Sequence, residues 1–534
     1  MQRGKRFVWA CVCSLTVALS FSSDAANKAP QNFDDPDLHL LVDDAEVHRT
    51  TNLQRVINRV KKLPEPVLVA DKPWEGDRVQ AWGSVIQETN GLLRMWYLAL
   101  NTERKTNEMD RGGYCYAESR DGLHWTKPDL GVVEFRGSTS NNLFYSFAPD
   151  SKNLVDEELA RRGLGLPALD ESGKEIGVLN NADGITVVRD DSEADPQKRY
   201  KLIANMQDHR MWSRSYPGKY PNVTGEEIRQ AQKLWGHYMD TSPDGIHWTR
   251  KPRRIVSPVV GDYALVTRDY RNQRWWLNER AKGKTPRNVA LRTSKDLLTW
   301  TEAKVTFETD PQSEGEERFF EWHGGITPFN YGNVNLGFLE KWCNGGFGNS
   351  CELVMSRDGA GWQRVAMDKA FLDISPEGAF DHLLAYPTHN PPVRIGEDLF
   401  IYYTGGGATV GHERGMPMAI GVAKIRLDRF AGLAHSRGTD PGEFITNPFK
   451  LTRSQLELNI EPLDRTQVRV ALGDEKGQPI AGFGYGDSQV EVTPEKLYSR
   501  VSWKGKTLAE LNQKFITLHV EIRGAIIYSF RLID

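Results

Sequence analysis

One seven-residue motif, Ser-x-Asp-x-x-x-Trp, occurs four times in this chain and constrains its fold more than any other feature. Its copies begin at Ser119, Ser242, Ser294 and Ser356, and three of the four have glycine directly after the aspartate. An aspartate that hydrogen-bonds its own backbone, followed by a residue with positive φ, makes a tight turn between two strands. The tryptophan then packs between sheets. A motif repeated in this way is typical of a propeller, a solenoid or an array.

Runs of β-forming residues surround every copy of the motif. Around the first copy they lie at 81–86, 92–99 and 113–118, and Trp125 is predicted to open a fourth strand. A fifth unit, without the motif, follows at 389–433. Four antiparallel strands per unit are the composition of a propeller blade. We therefore predict a five-bladed β-propeller over residues 65–445, in which the aspartates of the motif are structural.

The segments before and after the five units have sequence patterns that differ from those of the units. Short alternating strands, as at 456–460 and 467–472, predict a C-terminal β-sandwich over 446–534. Residues 27–64 form a charged lead-in, of which 43–62 is predicted to be helical. The predicted fold class is therefore all-β, a five-bladed propeller followed by a β-sandwich.

Two long segments within the propeller, 127–180 and 207–230, show little periodicity. We predict the first to be an insertion and the second to be a loop. Long loops in a compact domain are usually lids or binding loops.

The first 26 residues have the features of a secretory signal peptide. Lys5 and Arg6 precede a mostly apolar run at 7–21, and small residues for cleavage follow at 23–26. The apolar run is short for a membrane anchor. We therefore predict an exported protein, secreted or periplasmic, that has no membrane partner after cleavage.

Composition argues against a nucleic-acid partner, because the formal net charge is −3 and no basic stripe stands out. The chain contains 15 Trp, 17 Tyr and 21 Phe, and both the packing between blades and the stacking of sugar rings use such residues. Composition alone does not separate the two uses.

Acidic residues stand just before the inner strand of every predicted blade. Because the inner strands converge on a central funnel, these acids would face one another although they are distant in sequence. In blade order they are Glu75 with Asp77, Asp183, Asp262, Glu321 and Asp381. Cleavage of a glycosidic bond needs one carboxyl group to protonate the leaving oxygen and another to attack carbon or activate water. Aspartate also caps strands and turns, so each acid taken alone has a structural alternative.

Further side chains near these acids are candidates for substrate contacts. Those predicted to bind substrate are Asp381, His323, His382, Arg280, Trp74, Trp82 and Trp322. The histidines suit sugar hydroxyls and have no metal-ligand spacing. The tryptophans suit stacking on a sugar ring and core packing equally well. The predicted chemistry requires no cofactor and no metal.

This layout resembles the five-bladed propeller glycoside hydrolases, the group of invertases, inulinases, levansucrases and arabinanases, over most of residues 65–445. The segments Val468–Val470, Gly477–Phe483, Val501–Gly505 and Tyr528–Phe530 resemble the β-sandwich that follows the propeller in invertase-type enzymes of glycosyl hydrolase family 32. The Trp-Met-Asn-Asp-Pro-Asn and Arg-Asp-Pro motifs of invertases are absent from the sequence.

The resemblance also implies roles for the acids. It implies a nucleophile or base on the first blade, at Glu75 or Asp77, and a transition-state-stabilising aspartate on the second, at Asp183. It implies an acid later in the chain, at Asp262 or Glu321. The predicted function is an exported glycoside hydrolase acting on an oligo- or polysaccharide.

Two alternatives remain at this stage. A sialidase-like hydrolase shares similar aspartate turns but has six blades, and a carbohydrate-binding propeller would bind a glycan without cleaving it. The sequence leaves the sugar, the linkage, the stereochemistry and the oligomeric state open.

Overall fold

Seven sheets make up nearly all the regular structure of the described residues in the computed structural model of the protein. The structure describes residues 31–100, 111–147, 151–153, 165–214, 222–259, 261, 264–281, 288–308, 320–343, 348–366, 369–407, 418–435 and 440–534, without the side chains of 111–112, 152–153, 320–324 and 342–343. Five of the sheets follow one another along the chain, and each packs against the next and the fifth against the first. This ring confirms the predicted five-bladed propeller.

The four main strands of each of the first three blades are antiparallel. From its inner strand outward, blade 1 consists of Arg78–Gln87, Leu93–Leu100, Arg111–Ser119 and Leu143–Tyr145. In the same order, blade 2 consists of Asn181–Arg189, Tyr200–Gln207, Gly236–Ser242 and Arg253–Val256, and Leu166–Leu169 and Glu175–Leu179 extend it to six strands. Blade 3 consists of Leu265–Asp269, Arg274–Ala281, Asn288–Ser294 and Lys304–Phe307.

The last two blades each include a strand from the N-terminal segment. Blade 4 consists of Phe320–Gly332, Val334–Cys343, Ser350–Ser356 and Gln363–Arg364, with Phe33–Asp34 parallel to its inner strand. Blade 5 consists of Leu384–Pro387, Asp398–Gly406, Met418–Arg426 and Lys61–Lys62, with Val393–Ile395 pairing its second strand. We call the face at which the inner strands begin the upper face, and the face at which they end the lower face.

The inner strands are linked by hydrogen bonds that cross from one blade to the next. The Val187 N–H donates to Ser84 Oγ at 2.9 Å, between blades 2 and 1. The hydroxyl of Thr186 donates to the Ala264 carbonyl at 3.0 Å, and that of Thr267 to the Pro328 carbonyl at 2.7 Å. These bonds satisfy backbone groups that the inner edge of each sheet would otherwise leave unpaired. They also fix the height of each inner strand against its neighbour.

The four repeated motifs form the same turn, which directly follows the third strand of blades 1 to 4. In the second copy, Asp244 Oδ1 accepts from the N–H groups of Ile246 and His247 at 2.9 Å each. Ser242 Oγ accepts from the Gly245 N–H at 2.9 Å. The other three copies repeat these bonds. The structural role predicted for these aspartates is confirmed, and the turns lie at the lower face.

The residue after the aspartate packs against the neighbouring blade, which explains why it is usually glycine. The Trp96 indole N–H donates to the Gly245 carbonyl at 2.7 Å, and a Cβ at Gly245 would lie 2.7 Å from that ring. Leu297 takes the place of glycine in the third copy, at a φ of 62°. It shares a buried cluster with Ile203 of blade 2. Glycine in the second copy thus meets the large Trp96 ring, whereas Leu297 in the third copy shares its cluster with the smaller Ile203.

The N-terminal segment is extended, and the prediction of a helix at 43–62 was wrong. Val47–Thr51 and Leu53–Ile57 are strands that join the C-terminal sheet. Lys61–Lys62 pairs with Met418–Arg426 and forms the outer strand of blade 5. Charge spacing suggested a helix, but pairing with two sheet edges far along the chain determines the conformation.

The C-terminal residues form a β domain with its own core, centred on Leu458, Val470 and Val520. Its strands are Leu38–Leu40, Val47–Thr51, Leu53–Ile57, Ala431–His435, Gly442–Thr446, Phe449–Lys450, Gln455–Asp474, Ser488–Val490, Tyr498–Trp503 and Phe515–Ile533. By hydrogen bonding they are one ten-stranded sheet rather than two separate ones. Strands from before and after the propeller meet in this sheet, so the domain joins the two segments that flank the propeller.

Two further expectations differ from the structure. Trp125 does not open the fourth strand of blade 1, because that strand is Leu143–Tyr145, within the predicted insertion. The segment 207–230 includes part of a helix, Gly225–Leu234, which begins with a capping box between Thr224 and Glu227. None of the described helices has the length and apolarity to cross a bilayer. The predicted signal peptide lies outside the described residues.

Replacing Asp244 by Asn should lower stability near neutral pH and have little effect in acid. Burial alone would raise the pKa of Asp244, but hydrogen bonds from His247 and Ile246 lower it to about 2, against 3.8 ordinarily. The charged form therefore stabilises the fold above pH 4, and this contribution disappears as the pH falls through 2. We expect a loss of about 1 kcal/mol at pH 7, since the site is partly exposed. Thermal unfolding from pH 2 to 7 measures this, with Asp398→Asn as control. A difference independent of pH would contradict it.

Replacing Lys62 by Met should destabilise the ring. Lys62 Nζ lies 2.7 Å from Asp381 Oδ2, and the side chains are 16% and 2% exposed. Removal of one partner leaves a buried charge unpaired, which costs about 3 kcal/mol. Urea unfolding measures the loss, and Lys61→Met, an exposed neighbour in the same strand, serves as control. Equal stability of the two variants would contradict the role of this ion pair.

Candidate active site

The inner strands of blades 1, 2 and 4 share an irregularity near the upper face. Their pairing with the second strand shifts register between Gln80 and Ser84, between Ala182 and Ile185, and between Trp322 and Ile326. A bulge of this kind bends the strand and changes the direction of a side chain. In blades 1 and 2 the residues within it are Trp82 and Asp183, each followed by glycine.

The glycines of these bulges allow a close approach of neighbouring groups. A Cβ at Gly83 would lie 1.9 Å from the Trp96 carbonyl oxygen, and one at Gly325 would lie 1.9 Å from Asn278 Oδ1. Asn278 Oδ1 accepts a hydrogen bond from the Ile326 N–H at this place. Because backbone or a buried amide occupies each position, no larger residue fits without moving a strand.

Asp183 lies in the bulge of blade 2, at the upper end of the funnel. Its carboxylate is largely buried, with the residue 6% exposed, and it accepts a hydrogen bond from Gln207 Nε2 at 3.2 Å. The Trp82 ring lies 3.1 Å, and the His389 ring 3.3 Å, from a Cβ built on the adjacent Gly184. Trp82 and His389 thus form the floor beside Asp183, and the structure places Asp183 and Trp82 together as the sequence predicted.

His389 lies beneath this site and closes the central funnel of the propeller there. Its Nδ1 lies 3.1 Å from the Ile185 carbonyl, and its backbone N–H donates to the Gly83 carbonyl at 2.9 Å. Burial lowers the pKa of His389 to about 4. The ring is therefore neutral at physiological pH and joins blade 5 to blades 1 and 2 without adding charge.

Asp77 stands at the start of the first inner strand. Its side chain is 21% exposed, and Arg78 Nη2 lies 3.2 Å from Asp77 Oδ2. Arg78 is fully buried, so its guanidinium is held against the carboxylate. A fixed cation favours the ionised form of a neighbouring acid. Asp77 therefore has the exposure and the charge partner that a reactive carboxylate needs.

Glu75 differs from the prediction that it is catalytic. It is fully buried and accepts from the Tyr97 hydroxyl at 2.6 Å, while Lys127 Nζ lies 2.7 Å from Oε1. The N–H groups of Asp71 and Lys72 donate to its other oxygen. These partners occupy both oxygens, so Glu75 anchors the segment that leads to Asp77. Of the two acids proposed for blade 1, the geometry favours Asp77.

Asp381 is also buried and paired, which differs from the predicted substrate contact. Lys62 Nζ and the Tyr403 hydroxyl lie 2.7 and 2.9 Å from its Oδ2. Burial, with the nearby Asp381 carboxylate, raises the pKa of Tyr403 well above its usual value. This cluster closes blade 5 onto its N-terminal strand. The adjacent His382 lies 2.9 Å from the Ala379 carbonyl through Nδ1, and its sugar contact stays a prediction.

Of the remaining predicted residues, the structure describes the side chains of Trp74 and Arg280 and not those of the other four. Trp74 is partly buried against the core of blade 1, packs edge-on against Phe135 and donates its indole N–H to Asn142 at 2.6 Å. The side-chain carbons of Arg280 pack against Gly261, just before the third inner strand. Asp262 and the side chains of Glu321, Trp322 and His323 lie outside the described residues. Their roles stay predictions.

Sequence reasoning missed a buried acid on blade 3, Glu279. His237 Nε2 and Arg292 Nε lie 3.2 and 2.8 Å from its carboxylate. Burial alone would raise the pKa of Glu279, but His237 and Arg292 lower it overall. The group is an ion-paired link between blades 2 and 3. It stands within a strand rather than before one, so the pattern of acids preceding inner strands does not include it.

Sequence reasoning also missed Gln207 and Trp212, which lie beside Asp183. The Trp212 indole N–H donates to Gln207 Oε1 at 3.1 Å. Both follow from the position of Gln207 at the end of the second strand, directly opposite Asn181 in the ladder. Neither residue carries a charge or belongs to a motif, so the sequence pattern alone does not single them out.

A cavity lies at the lower face, on the opposite side of His389 from Asp183. Its lining includes Val187, Val266, Tyr270 and Gln31. Gln31 Nε2 donates to the carbonyls of Val85 and Pro391 at 3.2 and 3.0 Å, so the N-terminal segment covers part of it. The carboxylate in the lining, Asp191, is paired with Arg189 at 2.8 Å. This cavity does not offer a pair of reactive acids.

No protein-family model matches the sequence, and no curated protein is similar to it in sequence. Solved structures with a similar arrangement include one described as a glycoside hydrolase, at 13% identity over 68% of this chain and 92% of that chain, with a TM-score of 0.40. A β-1,2-mannobiose phosphorylase from Listeria innocua matches at 10% identity over 70% and 98%, with a TM-score of 0.42. A thermostable family-43 glycoside hydrolase matches at 11% identity over 67% and 94%, with a TM-score of 0.39. Similarity at this level does not assign an activity to the chain.

Replacing Gly83 by Ala should disrupt blade 1, because the added methyl group would meet the Trp96 carbonyl at 1.9 Å. We expect a loss of roughly 3 kcal/mol or more, or failure to fold. Thermal unfolding and yield of soluble protein measure this. Gly486→Ala is the control, since nothing lies within 4 Å of its added Cβ. Wild-type stability of Gly83→Ala would show that the bulge is not tightly packed.

Proposed function

We propose that the protein is a glycoside hydrolase that cleaves a glycosidic bond in an oligo- or polysaccharide at the upper face of the propeller. The observation that supports this most is the position of Asp183, in a strand bulge beside Trp82, with Asp77 at the start of the neighbouring inner strand. An aromatic ring beside one carboxylate, with a second carboxylate on the neighbouring inner strand, suits a sugar ring and its bond cleavage.

The two described acids suit the carboxylate roles of this reaction. Arg78 favours the ionised form of Asp77, and the Gln207 amide hydrogen-bonds the Asp183 carboxylate. An ionised carboxylate can attack the anomeric carbon, activate water, or stabilise positive charge on the sugar. Asp262 and Glu321 stay the candidates for the group that protonates the leaving oxygen. The proposal includes export to the periplasm or the medium, where a glycan substrate would be met.

The five-sheet ring favours this function over that of a sialidase-like hydrolase, which has six blades. A carbohydrate-binding propeller without catalysis shares the same ring, so activity decides between the two. A panel of plant, algal and microbial glycans with reducing-sugar detection is the first measurement. Binding of a glycan without hydrolysis across the panel would support the binding propeller and contradict the enzyme.

Replacing Asp183 or Asp77 by Asn should each reduce kcat by about a hundredfold or more, since each substitution keeps the shape and removes the charge. Asp398→Asn, at the lower face, should stay within about twofold of wild type. Steady-state kinetics on the best glycan, with circular dichroism to confirm folding, measure this. Retention of more than about a tenth of the activity by Asp183→Asn would contradict the proposed site.

A further inference from the structure

Gln207 donates a hydrogen bond to the Asp183 carboxylate and is as deeply buried as the acid itself. The two residues are 3% and 6% exposed. Gln207 Nε2 carries only donor hydrogens, so it can hydrogen-bond the ionised carboxylate and offers no acceptor to a protonated one. A donor of this kind favours the charged form of an acid.

The orientation of the Gln207 amide is fixed from its other side. The Trp212 indole N–H is a donor only, and it lies 3.1 Å from Gln207 Oε1. If the amide were reversed, its NH₂ group would face the indole N–H and its oxygen would face the carboxylate. Both contacts would be repulsive, so Trp212 selects the orientation in which the NH₂ group meets Asp183.

Trp212 is itself held by its local fold. It ends a short 3₁₀ turn, His209–Trp212, in which the Asp208 side chain caps the turn by accepting from the Arg210 N–H. Arg210 Nη2 pairs with Asp208 at 2.6 Å, and the Trp235 ring packs edge-on against Trp212 at 6.0 Å between centroids. Trp212 therefore reaches Gln207 from a turn that a cap, an ion pair and a packed ring hold in place.

We propose that Gln207, oriented by Trp212, is a positioning residue that keeps Asp183 ionised at the upper face. This rests on the proposed function only in the use made of Asp183, because the hydrogen-bonded relay can be measured without a substrate. Among the described residues, the other ionisable groups at this corner are His389 beside Gly184, the Asp208–Arg210 pair and His209 next to Gln207, and the Asp77–Arg78 pair on the neighbouring inner strand. The Tyr114 hydroxyl donates to the Asp183 carbonyl at 2.9 Å. The variants that test the proposal retain all of them.

The test is the titration of Asp183 followed by NMR with ¹³C-labelled aspartate, in the full chain, with Asp183→Asn identifying its signal. Gln207→Met keeps the length of the side chain and removes the donor, so the titration midpoint should rise by about one pH unit. Trp212→Phe keeps an aromatic ring and removes the indole N–H, and it should raise the midpoint by a smaller amount.

Trp503→Phe is the matched control. Its indole N–H donates to the Val470 carbonyl at 3.1 Å in the C-terminal domain, so this variant loses an indole hydrogen bond that does not lead to Asp183. The Asp183 midpoint in Trp503→Phe should equal that of wild type. If Gln207→Met does not fold by circular dichroism, Trp212→Phe decides alone. An unchanged midpoint in the folded variants, or an equal rise in Trp503→Phe, would overturn the proposal.

Kinetics then separate the positioning role from the function. The acidic limb of the kcat/KM profile should move upward with the midpoint in Gln207→Met, and KM should change little. If Asp183→Asn abolishes turnover while Gln207→Met titrates and turns over as wild type, the positioning role is wrong and the function stands. If Asp183→Asn turns over normally, the proposed function is wrong. The Asp183 titration midpoint then still tests whether Gln207 and Trp212 favour the ionised form of Asp183.

Discussion

The requirement that every blade be packed on two neighbours determines the rest of this structure. A ring of sheets has no free end, so the chain must supply a strand and a contact that join its last blade to its first. Lys61–Lys62 completes blade 5, and Lys62 pairs with the buried Asp381. His389 makes the second connection, from blade 5 to the inner strands of blades 1 and 2. The proposed upper-face site depends on these connections, because they hold the inner strands at fixed heights.

The acids of the ring divide by their place in the fold rather than by their place in the sequence. Glu75 and Glu279 lie in buried clusters where lysine, arginine or histidine compensates their charges. Groups of this kind stabilise a fold when both partners are present and cost much when one is lost. Asp77 and Asp183, the two described acids that we propose to be catalytic, stand where a strand begins or bulges, at the upper end of the funnel.

Much of the fold followed from the sequence because its determinants are local. The Ser-x-Asp-x-x-x-Trp turns depend on hydrogen bonds within five residues, so the motif alone predicted the turn and, by repetition, the blades. The extended conformation of 43–62 depends on pairing with strands almost 400 residues away, and no local pattern reports that. The same reason explains why Leu143–Tyr145 was not recognised as the outer strand of blade 1.

The sequence singles out some residues of the candidate site and not others, for one physical reason. Asp183 and Trp82 stand out in the sequence as an acid and an aromatic residue near inner strands, and the structure places them side by side. The pairing of Glu75 with Lys127, 52 residues away, is a tertiary contact, and it leaves Asp77 as the better candidate on blade 1. Gln207 and Trp212 carry no charge and belong to no motif, so only the ladder that places Gln207 opposite Asn181 reveals them.

Acids from different blades are proposed to serve one substrate at the upper face, and a crystal structure of the inactive Asp183→Asn variant with a bound oligosaccharide tests this most directly. We predict a sugar ring against Trp82, with Asp77 and residue 183 within hydrogen-bond distance of the atoms of one glycosidic linkage. A sugar bound at the lower-face cavity, or on the C-terminal domain alone, would contradict it.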